Sequence, residues 1–188
     1  LIFGATGGVM EAAIRTAYEI VTGQEIPFEK LRVEPVRGME GIKRAEIPIS
    51  GTLDEWNFLE GVTLKVLVGH GTANAKKIME MLCRGELDEY HFVEIMACPG
   101  GCLGGGGQPI PTSPEIRMAR AQAIYAEDEE LSVRKSHENP VIKEIYADYF
   151  KEGPCSRLSH KLLHTHYLGR GKWIGKQRKK SGTKSKKK

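Results

Sequence analysis

The strongest constraint on this chain is a glycine loop set directly on the end of an apolar strand. His91–Met96 (HFVEIM) reads as a strand, and it runs without a break into ACPGGCLGGGGQP, residues 97–109. Glycine has no Cβ, so such a loop can fold back tightly and bring main-chain N–H groups up to a ligand. Cys98 and Cys102, separated by Pro-Gly-Gly, can then grip two corners of one iron–sulfur cube. A bare C-x3-C would fit a flexible connector with two incidental thiols equally well. Four successive glycines and Gln-Pro, placed straight after a buried strand, argue against the connector. Loops at the carboxyl ends of sheet strands are also where α/β proteins hold their ligands.

The rest of the chain alternates strand and helix. Leu1–Phe3 reads as the end of a strand, and Gly4-Ala5-Thr6-Gly7-Gly8 as a glycine turn. Val9–Val21 follows as a helix with apolar residues at helical spacing, closed by Thr22-Gly23. Leu31–Val36, Ala45–Ile49 and Thr63–Val68 read as strands. A helix over 72–84 carries Ala75, Ile78, Met79 and Leu82 on one stripe. Ser113-Pro114-Glu115 signals the start of a helix over 115–131, with further helices over 140–151 and 156–167. The expected fold is α/β: a mixed or parallel sheet flanked by helices, then a helical C-terminal wrap.

Charge and composition narrow the class. Residues 169–188 hold ten Lys or Arg and no acid, which leaves 18 basic against 24 acidic residues before them, a net −6. The basicity therefore belongs to a low-complexity tail, read as disordered, and does not mark a nucleic-acid-binding fold. No run of 18 apolar residues offers a membrane span. Four cysteines in 188 residues make no disulfide scaffold, and their placing suits a reducing, cytoplasmic compartment. The chain opens on Leu1 in what reads as mid-strand, so it is expected to be a fragment lacking an N-terminal lobe.

The glycine turn Phe3–Glu11 puts helix N-terminal N–H groups at a ligand. It has neither G-x-G-x-x-G nor the Lys-Ser/Thr of a P-loop, so a nucleotide is not expected there. A 4Fe-4S cluster takes four thiolates. Cys83 lies beside a core stripe and reads as a buried free thiol. Cys155 follows Gly-Pro in a linker. The missing ligands are expected from the absent N-terminal part.

Together, FGATGGVMEAAIRTAYE (residues 3–19) and EIMACPGGCLGGGGQP (residues 94–109) resemble the catalytic domain of iron-only (FeFe) hydrogenases. Val36-Arg37-Gly38, Gly41-Ile42-Lys43, RKSHENP (residues 134–140) and LLHTHY (residues 162–167) resemble further segments of that family. The resemblance covers about residues 1–168, leaving the tail outside. It implies an H-cluster, a 4Fe-4S cube joined through one cysteine sulfur to a two-iron unit with CO, cyanide and a dithiolate amine. By the same resemblance Cys98 is a terminal ligand of the cube and Cys102 the bridging one. Met96 packs beside the two-iron unit, Phe3 and Val9 line its apolar side, and the Gly4-Ala5 backbone approaches its diatomic ligands. Without the resemblance, Phe3, Val9 and Met96 would be read as core.

The implied reaction is 2H⁺ + 2e⁻ ⇌ H₂, with ferredoxin or NAD(P)H-linked subunits as redox partners and maturation proteins to install the two-iron unit. Further iron–sulfur clusters are expected N-terminally. The fragment alone is expected to be inactive. The alternative is an assembly or sensory relative without hydrogenase activity; the intact FGATGGVMEAA turn favours the catalytic branch. Cys155, His160, His164 and His166 fit no common zinc spacing, and His137 reads as structural.

Overall fold

The computed structural model describes residues 1–167, so the basic tail lies outside the described residues. Two compact units divide at Lys143 and Glu144. The first holds a three-stranded sheet of β1 (Ile42–Pro48), β2 (Thr63–His70) and β3 (Phe92–Met96), in the order β1-β2-β3. β1 pairs antiparallel with β2, and β2 pairs parallel with β3. The expected mixed α/β architecture is therefore present.

β2 is central, and its end, Val66–His70, is buried on both faces, as the nearly continuous apolar run VLVGH requires. β1 is an edge strand and alternates, with Lys43, Ala45 and Ile47 inward. Helix α1 (Gly8–Thr22) lays Met10, Ile14 and Tyr18 on one sheet face against Ala45, Ile47, Val66 and Val68. Helix α2 (Thr72–Cys83) carries the crossover from β2 to β3 and seats Ile78 with Leu67 and Leu87 on the other face. Helix α3 (Pro114–Glu130) begins as its sequence signals: Ser113 Oγ accepts the Ile116 N–H at 3.2 Å. Gly23, at φ +68°, ends α1 as expected.

Several sequence expectations are corrected. Leu1–Phe3 is not a strand: Ile2–Gly4 forms a 3-10 turn, in which the Ala5 N–H bonds back to the Ile2 carbonyl. Leu31–Val36 is not a strand either. It folds as two 3-10 turns, Glu29–Leu31 and Glu34–Val36. Pro35 has no N–H for a ladder, and the apolar residues that suggest a strand bury Leu31, Val33 and Val36 instead. The strand expected over 45–49 starts earlier, at Ile42, because the charged pair Lys43-Arg44 hides its first residues. On α2 only Ile78 is buried, while Met79 and Leu82 are exposed and so is Cys83, which is no buried thiol.

From Glu144 on, the second unit holds the end of helix α4 (Pro140–Asp148) and helix α5 (Arg157–Leu163), both shorter than the spans 140–151 and 156–167 expected from the sequence. Ser156 Oγ caps α5 at the Ser159 N–H. The His160 and His164 rings stack 4.3 Å apart, one turn from each other.

The N-terminus of α1 explains how the first unit is organised. Gly7, at φ +89°, occupies the cap position and offers no side chain; a Cβ there would stand 2.0 Å from the Val36 carbonyl oxygen. The cap comes instead from β3. Buried Glu94 accepts the Gly7 N–H and the Met10 N–H, each at 2.7 Å. Met10 is the third helical residue, where a cap side chain normally bonds. The carboxylate also meets the positive end of the helix dipole. On the other side of the same turn, buried Lys43 Nζ donates to the carbonyls of Thr6 (3.2 Å) and Gly38 (2.8 Å). Burial lowers the Lys43 pKa from 10.5 to about 8, against the pull of Glu94 and Glu40.

Further along α1, fully buried Arg15 bonds Glu11 (2.6 Å), Asp128 of α3 (2.9 Å) and the Leu31 carbonyl (2.9 Å). Arg37 adds two bonds to Glu11 and Arg134 two to Asp128. Burial raises the Asp128 carboxyl, but its bonds to Arg15 and Arg134 outweigh that and hold it below the usual range. Every charge in this group is paired, which is the condition for burying it.

Two predictions follow from these ties. Glu94→Gln leaves one helix N–H without its acceptor and should lower the unfolding free energy by about 2 kcal/mol; denaturant unfolding showing less than about 0.5 kcal/mol of change would contradict the cap. For Lys43, the unfolded chain keeps its proton up to 10.5 while the folded chain loses it near pH 8. Stability from this group therefore rises with pH across that window. Lys43→Met should remove that part of the slope relative to the parent, and equal slopes would contradict it.

Candidate metal centre

β3 ends at Met96 and delivers Ala97-Cys98 directly into the loop. Gly100 and Gly101 both take positive φ, and the Gly101 N–H bonds the Cys98 carbonyl at 3.0 Å. This tight fold brings Cys98 and Cys102 to one cleft of about 460 Å³, lined also by Met96, Gly101 and Gly105–Gln108. Both thiols are free. A Cβ on Gly101 would stand 2.7 Å from Met96 Sδ and 2.9 Å from the Gly4 carbonyl oxygen, so the cradle exists only with glycine there.

The loop is fastened to three other elements. The glycine turn holds it through an Ala5–Gly101 bridge and a Thr6 N–H bond to the Gly100 carbonyl at 3.0 Å. At the end of β2, buried His70 accepts the Gly100 N–H at Nδ1 (3.0 Å), and its Nε2 lies 3.2 Å from the Met39 carbonyl. With Nδ1 accepting, the ring proton sits on Nε2 and donates to Met39. From α3, Arg120 donates to the carbonyls of Leu103 and Pro109, both at 2.8 Å. Ala5, Leu103 and Ala121 form a small buried cluster where turn, loop and α3 meet.

Of the residues singled out in the sequence, Cys98, Cys102 and Met96 are brought together in the cleft. Gly4 and Ala5 lie against the loop behind it. Phe3 and Val9 do not line that cleft. Phe3 is 53% exposed, so it is not core, and Val9 is half-buried. Cys83 lies apart, in a groove with Lys76, Met79, Glu80 and Arg84. His137 has a structural setting: Nδ1 lies 3.2 Å from Thr16 Oγ1 and Nε2 3.5 Å from Glu19. Glu94 and Lys43 fall in segments singled out in the sequence (EIMACPGG and Gly41-Ile42-Lys43) but carry no assigned role there, and His70 and Arg120 lie in no motif. Glu94 could have been suspected as an acid in a strand otherwise fit for burial. His70 and Arg120 betray no signal in the sequence.

Next to the turn, Arg37 stacks over the Tyr125 ring at 4.0 Å while bonding Glu11. Burial pushes the Tyr125 hydroxyl well up, and that hydroxyl and Thr6 Oγ1 are buried without a partner among the described residues. The donor set itself is two thiols, a thioether and glycine backbone in one cradle. It fits two corners of an iron–sulfur cluster, whose remaining thiolates would have to come from elsewhere.

Residues 1–106 match the family described as the C-terminal domain of the iron only hydrogenase large subunit, and residues 114–170 match the iron hydrogenase small subunit. The chain is 45% identical to the NADP-reducing hydrogenase subunit HndD of Solidesulfovibrio fructosivorans, over 90% of this chain and 26% of that protein. It is 41% identical to iron hydrogenase 1 of Clostridium pasteurianum, over 88% of this chain and 27% of that one. A solved structure of the [FeFe]-hydrogenase HydA1 of Chlamydomonas reinhardtii superposes with a TM-score of 0.69 at 43% identity, covering 89% of this chain and 46% of that one. Relatives at lower identity include probable cytosolic Fe-S cluster assembly factors of Drosophila and Protein NAR1 of Arabidopsis thaliana, the latter 32% identical over 88% of this chain. The chain thus spans about a quarter of the length of the curated hydrogenases it matches. On the match of residues 1–106, with the cysteine cradle and the glycine turn both inside it, the chain belongs to the iron-only hydrogenase family.

Proposed function

We propose that this chain forms the C-terminal part of an H-cluster domain and works in an FeFe hydrogenase, catalysing 2H⁺ + 2e⁻ ⇌ H₂. The observation that carries this reading is the seating of the Cys98–Cys102 cradle against the Gly4–Gly8 turn through the Ala5–Gly101 bridge. Assembly factors are also relatives, and the intact FGATGGVMEAA turn is the feature that favours catalysis here. In this reading residues 1–168 are the domain portion and 169–188 an appended tail.

Cys98 and Cys102 would supply two of the thiolates that hold the cluster. The other two thiolates would come from polypeptide beyond this sequence. Bound there, the H-cluster supplies the iron chemistry that makes or splits dihydrogen. The chain's own residues do the rest. Met96 lines the cleft with apolar surface that would keep water off the reacting side, while Phe3 and Val9, outside that cleft, are assigned beside the two-iron unit by the resemblance alone. The Gly4-Ala5 backbone, without bulky side chains and seated against the cysteine loop, would leave room for the bound group there. His70, Thr6 and Arg120 keep the cysteine loop in its tight form before any cluster arrives, so little reorganisation accompanies binding.

Electrons would be exchanged with ferredoxin or an NAD(P)H-linked subunit, and maturation proteins would deliver the two-iron unit. The reading places the protein in the cytoplasm of an anaerobic cell. No described helix is long and apolar enough to cross a membrane.

The test is hydrogen evolution by the full-length protein, matured anaerobically. Rapid turnover with reduced donor is expected, with Cys102→Ala losing it entirely and Cys98→Ser losing at least about tenfold, the scale on which altered ligation acts. A parent protein with its iron–sulfur clusters loaded but no turnover would overturn the catalytic reading and leave an assembly or electron-transfer role.

A further inference from the structure

The glycine run that follows Cys102 is poorly held by its own chain. Gly106 and Gly107 have open space where a Cβ would stand, and the chain's own bonds at the run are Gly104 N–H to Gly101, Gly105 N–H to Cys102 and Gln108 N–H to Gly105, which leaves the second half of the run the less held. Glycine loses more freedom on ordering than any other residue, so a run of four should open readily unless something outside it closes it. Arg120 is placed to do this. Its Nη1 donates to the carbonyl of Leu103, the residue after Cys102, and its Nη2 donates to the carbonyl of Pro109 beyond the last glycine, both at 2.8 Å. One planar guanidinium thus bridges the two ends of the run. A lysine ammonium has no such fixed fork.

The support behind Arg120 is packed. The next residue, Ala121, is 3% exposed and packs with Ala5 and Leu103, with Ile124 and Tyr125 beside them. The position of α3 is therefore transmitted to the turn that carries Cys102. Arg120 also brings a positive charge to the loop. A cation fixed one residue from a cluster thiolate favours the reduced, more negative cluster and raises its potential.

We propose that Arg120 is a positioning residue for the metal centre: it closes the 103–109 loop, seats Cys102 and raises the potential of the cluster bound there. This rests on the proposed function. It also gives the segment that matches the hydrogenase small subunit, 114–170, a direct part in the metal centre.

The experiment compares full-length parent, Arg120→Gln and Arg120→Lys. The readouts are iron content, the midpoint potential of the 4Fe-4S cluster by EPR-monitored titration, and amide hydrogen exchange over residues 103–109 in the cluster-free protein. Arg120→Gln should exchange these amides at least about tenfold faster, load several-fold less cluster and shift the potential negative. Arg120→Lys should exchange as fast as the glutamine variant yet keep a potential near the parent's, which separates charge from closure. If the parent loads its cluster and Arg120→Gln matches it in exchange, loading and potential, the proposal for Arg120 fails while the functional reading stands. A parent that takes up no cluster overturns both.

Discussion

Glu94 ties together the two segments on which everything else at the candidate metal centre depends. One buried carboxylate on β3 caps a helix whose own cap position is glycine, two residues before the same strand delivers Met96 and four before Cys98. The glycine turn needs Gly7 because a side chain there would strike the Val36 carbonyl, and a glycine cannot cap a helix with a side chain. The conflict is resolved across the fold rather than locally. A change in the height of β3 therefore moves turn and cysteine loop together, and their bridge at Ala5 and Gly101 is kept in register.

The remaining buried charges extend this logic. Lys43 holds the carbonyl side of the turn while Glu94 holds its N–H side, so the peptides of 6–10 lie between opposite charges. Arg15 and Asp128 bind α1 to α3, and α3 in turn carries Arg120 to the loop. Breaking a buried pair is far more destabilising than an intact pair is stabilising. The network accordingly fixes which elements meet more than it adds net stability. It yields a preformed, glycine-lined cradle, consistent with a site that must accept a large inorganic group without rebuilding its backbone.

Much of this was legible in the residues. The 97–109 loop marked the candidate centre, periodicity placed α1 and α2, the Ser113-Pro114-Glu115 signal placed α3, and TLKVLV marked a strand that proves central. The failures have physical causes. Leu31–Val36 has strand-like residues, but Pro35 denies it a ladder and burial is achieved through 3-10 turns. Lys43 and Arg44 masked the start of β1, since a charge facing inward is unreadable without the carbonyls that receive it. Cys83 looked buried from its stripe, yet α2 rests on the sheet through Ile78 and leaves the cysteine exposed. Cys98, Cys102 and Met96 were legible because their spacing is local. His70 and Arg120 act on the loop from 30 and 17 residues away, a distance that no motif encodes.

The central claim is that this cradle holds one half of an H-cluster seat. Infrared spectroscopy of the full-length protein, matured anaerobically with the two-iron unit, addresses it without relying on turnover. The account predicts sharp CO and cyanide bands that shift on ¹³CO exchange and change pattern under hydrogen. A protein with loaded iron–sulfur clusters and no such bands would contradict it.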